Sequence, residues 1–289
     1  MPKTLFTPGH TACAGCGQAI AARLVIDAAG AETIVCNNTG CLEVFSTKYP
    51  ESAWEVPFIH SLFENAAAVA SGVESALKYL GIKDKVNVIS QAGDGGTADI
   101  GLQALSGMWE RGHDVLSVCY DNEAYMNTGI QRSGLTPFGT NTTTSPPGTA
   151  SFGNIRFKKP VPEIALAHAI PYVATASVAY PQDIQKKVKK AISLKGPKYL
   201  QIHVPCPLGW RHESNETVNV AKLAIDSGLY PIFEYENGKL VSVRKIKPLP
   251  VEEYLKVQGR FKHLLNSPAQ LKMVQEIANR NIEKYGLKA

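Results

Sequence analysis

From residue 17 to residue 204 the chain alternates helix-like stretches with short apolar runs, and this alternation narrows the fold more than any other feature. Residues 17–29 read as a helix with Ala19, Ile20, Ala22, Leu24 and Val25 as apolar surface and Gly30 as its end. The run 33–36 reads as a buried strand and 37–41 as a loop. A second helix is expected over 62–80, where Gly72 among alanines suggests close packing against a neighbour. A strand at 86–90 leads into the tight turn Gly93-Asp94-Gly95-Gly96, then a helix at 99–111 and a strand at 115–120. The pattern resumes with a helix at 161–169, a strand at 172–176, a helix at 181–194 and a strand at 199–204. Such alternation specifies an α/β fold, a mostly parallel sheet covered by helices.

Two stretches depart from it. Residues 121–160 carry no clear period, and about 40 such residues is long for a connection inside a compact domain. The segment 136–150, rich in Thr, Pro, Gly and Asn, is read as an exposed stretch that covers a cofactor or meets a partner. The tail has another texture. Asn237-Gly238 marks a hairpin over 234–240, Pro248 and Pro250 mark a joint, and 267–285 reads as a terminal helix. The expected organisation is one unit over 1–230 with a C-terminal extension over 231–289.

Charge and composition exclude several classes. Lys and Arg outnumber Asp and Glu by only 30 to 25, the signs are mixed, and no basic tract is interleaved with aromatics, so nucleic-acid binding is not expected. The opening Met1-Pro2-Lys3-Thr4-Leu5-Phe6 lacks the apolar core of a secretion signal, and no run is long and apolar enough to cross a membrane. The chain therefore reads as cytoplasmic, with no membrane partner. Six cysteines in 289 residues then argue against a disulfide scaffold.

Asp94 and Asn122 stand 28 positions apart, each just after a predicted strand, with one helix and one strand between. In a parallel sheet that spacing brings both to the edge where α/β proteins place ligands. Asp94 offers a carboxylate oxygen, Asn122 an amide oxygen, and a nearby backbone carbonyl a third, which suits Mg²⁺. Gly93 and Gly95 would let backbone N–H groups approach a phosphate, and the following helix points its positive end the same way. The constellation reads as a Mg²⁺–diphosphate site. Neither the nucleotide fingerprint Gly-x-Gly-x-x-Gly nor a P-loop is present.

Cys13-Ala14-Gly15-Cys16 puts two thiols just before a predicted helix. Cys36 and Cys119 fall in predicted buried strands and read as small hydrophobes. Cys41 lies in a glycine-containing loop and Cys206 between Pro205 and Pro207, so these two are the better ligands. Four thiolates at Cys13, Cys16, Cys41 and Cys206 suit zinc in a structural protein or a [4Fe–4S] cluster, and spacing alone does not choose. His10, His60, His168, His203 and His212 show no close ligand spacing; His60 and His203 read as core or supporting residues.

Taken in order, these motifs resemble a known family. They are Cys13-Ala14-Gly15-Cys16-Gly17, Thr39-Gly40-Cys41, Phe63-Glu64-Asn65 and Gly93-Asp94-Gly95, then the run from Asp121 through Asn127 to Gly129, and Pro205-Cys206-Pro207-Leu208-Gly209-Trp210. Together they look like the β subunit of pyruvate:ferredoxin oxidoreductase and related 2-oxoacid:ferredoxin oxidoreductases, over about residues 5–215. The resemblance implies a thiamine diphosphate-binding fold. It implies a [4Fe–4S] cluster on Cys13, Cys16, Cys41 and Cys206, and Mg²⁺ held by Asp94, Asn122 and the backbone carbonyl of Ala124. Asn127 carries over as the catalytic candidate, a polar group near the diphosphate and thiazolium. The implied reaction is oxidative decarboxylation of a 2-oxoacid with coenzyme A, giving acyl-CoA and CO₂ and reducing ferredoxin. Pyruvate is the expected substrate, with 2-oxoisovalerate and oxalate as rivals. Leu208 departs from the threonine that often follows the Cys-Pro pair in pyruvate enzymes. Glu64 is not assigned as the cofactor-activating glutamate, because the resemblance places that residue on a partner α subunit. Further γ and ferredoxin-like δ subunits are implied.

Overall fold

The computed structural model describes residues 4–289; residues 1–3, part of the opening read above for a secretion signal, lie outside it. In chain order the elements are α1 (Gly17–Ala29), β1 (Thr33–Asn38), α2 (Cys41–Ser46), β2 (Phe58–Ser61), α3 (Ala66–Tyr79), β3 (Asn87–Gly93), α4 (Leu102–Glu110), β4 (Leu116–Asp121) and α5 (Val161–Ala167). They continue with β5 (Tyr172–Ser177), α6 (Pro181–Ser193), β6 (Lys198–His203), α7 (Pro207–Trp210), α8 (Thr217–Asp226), β7 (Phe233–Glu236), β8 (Lys239–Val243), α9 (Val251–Leu255) and α10 (Pro268–Tyr285). A π-helical turn, Gly96–Ile100, links β3 to α4, and a 3₁₀ helix, Gly259–Asn266, links α9 to α10.

The eight strands form one sheet in the order β2-β1-β3-β4-β6-β5-β7-β8. The first six are parallel, and β7 and β8 add to the β5 edge antiparallel. Alternate strand residues face opposite layers. Val35, Ile89, Val118 and Leu200 pack with Val25 and Ile26 of α1 and Ile184 and Val188 of α6. Their neighbours Cys36, Val88, Cys119 and Tyr199 pack with Ala70 and Leu77 of α3 and Leu105 and Met108 of α4. The expected α/β sandwich is therefore present, with both faces covered. Among the described residues no helix is long and apolar enough to cross a membrane.

Several boundaries moved for local reasons. The stretch expected as a loop at 37–41 splits: Asn37 and Asn38 extend β1 because they pair with His60 and Ser61 of the edge strand β2, and Cys41 opens α2. The helix expected from residue 62 starts at Ala66, after a turn closed by the bond from the Asn65 amide to the Leu62 carbonyl. Gly72 faces open space, so close packing falls to Ala66, Ala67 and Ala70 instead. The segment 136–150 is exposed only in its second half. Thr136, Phe138, Thr140 and Thr142 are buried, and the Asn154 amide satisfies the carbonyls of Thr136, Pro137 and Arg156.

The tail is tied to the rest by its own core. Phe261, Leu264, Tyr254 and Val274 pack with Phe138, Trp210 and Val220, and Tyr285 stacks on Phe233 with ring centroids 4.6 Å apart. Phe261→Ala, at a residue 1% exposed, should cost about 3–5 kcal/mol of unfolding free energy in urea denaturation. A change within error would mean that the tail melts apart from the sheet.

Candidate functional site

The register of β3 on β4 pairs Gly93 with Tyr120, so Asp94 and the residues after Tyr120 leave the sheet side by side at its carboxyl edge. Asp94 is 1% exposed, and its Oδ2 accepts the Ser133 hydroxyl. One terminal atom of the Asn122 amide lies 2.8 Å from Asp94 Oδ1 and 2.9 Å from the Ala124 carbonyl. With nitrogen there, the amide donates to both. With oxygen there, three acceptors face one another, and a cation is what reconciles them. The donor set therefore fits Mg²⁺, a hard ion that takes oxygen ligands. Between Asn122 and Ala124, Glu123 holds φ at 68°, in the left-handed region. That turn aims the side chain of residue 122 and the carbonyl of residue 124 at one point, at a cost of about 1–2 kcal/mol for a non-glycine residue. Thr136 Oγ1 donates to the Glu123 carbonyl at 2.7 Å and fixes the turn. Burial, and then the charge of Asp121, hold the Asp94 carboxyl well above the usual carboxylate range.

Behind this turn lies a buried ion network. Asp121 Oδ2 accepts from Lys158 Nζ and from Gln201 Nε2, both at 2.8 Å. Lys158 also donates to Glu123 Oε1 at 2.8 Å, and Arg260 Nη2 donates to Glu123 Oε2 at 2.6 Å. Burial opposes the Glu123 charge, but Lys158 and Arg260 overcome it and hold the carboxyl well below its ordinary range. Ser133, Lys158 and Arg260 escape sequence reasoning. None lies in a motif, and Arg260 stands 137 positions from its partner.

The four candidate cysteines come from three places in the chain, and their charges act on one another. Cys13 and Cys16 precede α1, with Cys16 at its N-cap; Cys41 opens α2; Cys206 caps α7 and accepts the Gly209 amide at 3.4 Å. Gly15 between the first pair has φ +72°, and a Cβ there would lie 2.1 Å from the Ser214 carbonyl, so only glycine closes this loop. Burial pushes the Cys16 thiol to about 11 and the Cys41 thiol to about 12. Secondarily, Cys41 feels the charges of Cys206, Cys16, Cys13 and Asp94, and Cys206 feels that of Cys13. Backbone amides at the α1 start work the other way on Cys16 and favour its thiolate. Among the described residues no three such groups close on a single metal ion. Cys41 lines the same recess as Gly93, Asp94, Asn122, Ala124 and Asn127.

The remaining candidates are dispersed. Asn127 is exposed at that recess. Gly95 makes room for the Tyr125 ring, which would lie 2.3 Å from a Cβ, so its first role here is packing rather than presenting an amide. Cys36 and Cys119 are buried in β1 and β4 on the α3–α4 side. His60 is exposed and bonded to Thr39 at 2.9 Å, not in the core. His203 is buried against Tyr230 and Trp210. His10 stacks on Phe6. Glu64 lies half-buried before α3 in a separate small recess.

Residues 38–202 match the family model described as thiamine pyrophosphate enzyme, C-terminal TPP binding domain, thiamine pyrophosphate being thiamine diphosphate. Fold and match together define a thiamine diphosphate-binding chain. Pyruvate synthase subunit PorB of Methanosarcina barkeri is 56% identical over 99% of this chain and 98% of that protein. The subunit of the same name from Methanocaldococcus jannaschii is 52% identical over 98% and 96%, and ketoisovalerate oxidoreductase subunit VorB of Pyrococcus abyssi is 51% identical over 90% and 86%. The solved 2-oxoglutarate:ferredoxin oxidoreductase of Magnetococcus marinus shares the fold at TM-score 0.57 and 21% identity, covering 76% of this chain and 78% of that one. The chain belongs to the β-subunit family of pyruvate:ferredoxin and related 2-oxoacid:ferredoxin oxidoreductases, and it is one subunit of such an enzyme.

Asp94→Asn removes a buried charge while keeping an acceptor for Ser133. Because the folded carboxyl ionises at higher pH than the unfolded one, the metal-free chain loses stability as pH rises through that interval. The variant should therefore melt at a higher temperature than wild type at neutral pH without metal, and should lose Mg²⁺-dependent cofactor binding. Thermal denaturation with and without Mg²⁺ tests both; a less stable variant refutes the reading.

Proposed function

We propose that this chain holds the diphosphate end of thiamine diphosphate through Mg²⁺ and carries a [4Fe–4S] cluster beside it, within a cytoplasmic hetero-oligomer that oxidises pyruvate. One observation carries the reading. Asp94, Asn122, Ala124 and Cys41 line one recess, and the charges of Cys206, Cys16 and Cys13 act on the Cys41 thiol. Thiamine diphosphate supplies the electron sink for 2-oxoacid cleavage, and an iron–sulfur cluster accepts electrons singly.

The chain's own residues have simpler tasks. Asp94, Asn122 and the Ala124 carbonyl hold the metal, and the left-handed Glu123 keeps those ligands convergent. Asn127, exposed at the recess, orients the bound cofactor as the catalytic candidate. Gly93, with no side chain within 4 Å of where its Cβ would be, leaves room for the diphosphate. Cys13, Cys16, Cys41 and Cys206 supply the thiolates. Partners complete the enzyme: an α subunit with the activating glutamate and part of the substrate site, γ and ferredoxin-like δ subunits, coenzyme A and ferredoxin.

The PorB relatives support pyruvate. A second reading, 2-oxoisovalerate, is favoured by VorB relatives at 51% and 49% identity, which overlap the PorB values of 50–56%. Pocket methylenes shift preference by only about 1–3 kcal/mol, so few side chains decide between them. On the reconstituted complex, kcat/KM should be roughly 10–200-fold higher for pyruvate than for 2-oxoisovalerate, and the isolated chain should reduce no ferredoxin. Reversed preference would establish the second reading; turnover by the isolated chain would remove the partner's role. Cys206→Ala, purified without oxygen, should lose the brown colour and most of the roughly four irons per chain while still binding thiamine diphosphate. Full iron in that variant counts against the ligand set.

A further inference from the structure

The C-terminal arm sends one cation deep behind the metal turn. Arg260, 1% exposed, sits in the 3₁₀ helix Gly259–Asn266. Its Nη2 donates to Glu123 Oε2 at 2.6 Å and to the Tyr254 hydroxyl at 3.0 Å, and its Nε donates to Gln258 Oε1 at 2.9 Å. Its guanidinium carbon lies 3.6 Å from the centre of the Trp210 ring. Trp210 is fully buried, and its indole N–H donates to the Asn122 carbonyl at 2.8 Å. Trp210 also closes the turn that Cys206 opens, through a bond from its amide to the Cys206 carbonyl at 2.9 Å. The Gly259 amide bonds the Arg211 carbonyl at 3.0 Å and anchors the arm beside that turn.

Arg260 thus touches two turns at once. One is 122–124, whose outer members offer oxygens to the metal; the other is 206–210, whose first member offers a thiol. The geometry points to Arg260 as a positioning residue that holds these turns in register, so that the metal ligands and the cluster ligand share one brace. This inference rests on the cofactor reading above. It requires a guanidinium in particular: Nη2 pairs with Glu123, Nε bonds Gln258, and the flat group lies over Trp210, an arrangement the single point charge of an ammonium does not reproduce.

Charge and shape make opposite predictions. Removing Arg260 leaves Asp121 and Glu123 sharing Lys158, a more negative surrounding that by charge alone would tighten Mg²⁺. Loss of the brace would loosen it, and partners of metal ligands are commonly worth 10–100-fold in affinity. The test uses the assembled complex, purified without oxygen, and measures thiamine diphosphate binding at limiting Mg²⁺ by calorimetry, with the electron paramagnetic resonance of the reduced cluster. Arg260→Lys, which keeps the charge, and Arg260→Met should each weaken metal-dependent binding roughly tenfold or more and shift the cluster signal. A merely structural role would lower the melting temperature and leave both readouts unmoved. Should those variants fail to fold, Trp210→Phe keeps a smaller ring under Arg260 and removes the N–H on Asn122 together with part of the buried ring; it should weaken Mg²⁺-dependent binding. Tighter or unchanged binding in Arg260→Met, or unchanged binding in Trp210→Phe, overturns the brace. A wild-type complex that binds no thiamine diphosphate with Mg²⁺, or holds no cluster, sinks the cofactor reading itself and this inference with it; normal wild-type behaviour beside unaffected variants sinks the brace alone.

Discussion

Three carboxylates buried within one short stretch of sheet edge set the terms for the rest of this structure. Asp94, Asp121 and Glu123 are each 3% exposed or less. Buried charges of one sign are tolerated only when paired or metal-bound. Lys158 and Arg260 answer Asp121 and Glu123, which leaves Asp94, among the described residues, with no ion pair of its own. The left-handed turn at Glu123, the inward Ser133 hydroxyl and the orientation of Asn122 follow from that imbalance. Each either satisfies Asp94 or prepares the position where a metal ion would.

The same imbalance explains why two distant pieces of chain are wrapped around the sheet edge. Lys158 arrives from the aperiodic segment after β4. Arg260 arrives from beyond the β7–β8 hairpin. The first segment lacks a secondary-structure period and the second delivers Arg260 from a short 3₁₀ helix; each brings one side chain to the same place. Their backbone groups are satisfied by local side chains such as Asn154 rather than by ladders.

How much of this was legible in the sequence depended on whether the signal was local. The bounds of α1 were readable to the residue because its apolar face and its terminal glycine lie within one window. Asp94 and Asn122 were readable because each follows a strongly apolar strand and the connection between them is one helix and one strand. The cysteine candidates were singled out because loop cysteines beside glycine or proline stand out, and Cys41 does line the recess beside Asp94. The edge strand β2 was not, since its residues are only partly buried and carry no alternation. The short helices after residue 206 were likewise missed, as they take shape from packing around Trp210. Arg260, Lys158 and Ser133 were invisible because contacts spanning 35 to 137 positions leave no trace in a window. Gly72 misled because a glycine in a helix has the same letter whether its face is crowded or empty.

The position of Arg260 in the chain also bears on how the protein is made. Synthesis runs from the amino end, and domains fold as they emerge. A nascent chain that has released all six parallel strands still lacks residues 259–266. At that stage Glu123 has Lys158 and the His203 ring beside it but no guanidinium, and Trp210 lacks the cation over its ring. The wall behind the 122–124 turn is therefore finished only once residue 260 has emerged, well after the parallel strands it leans on.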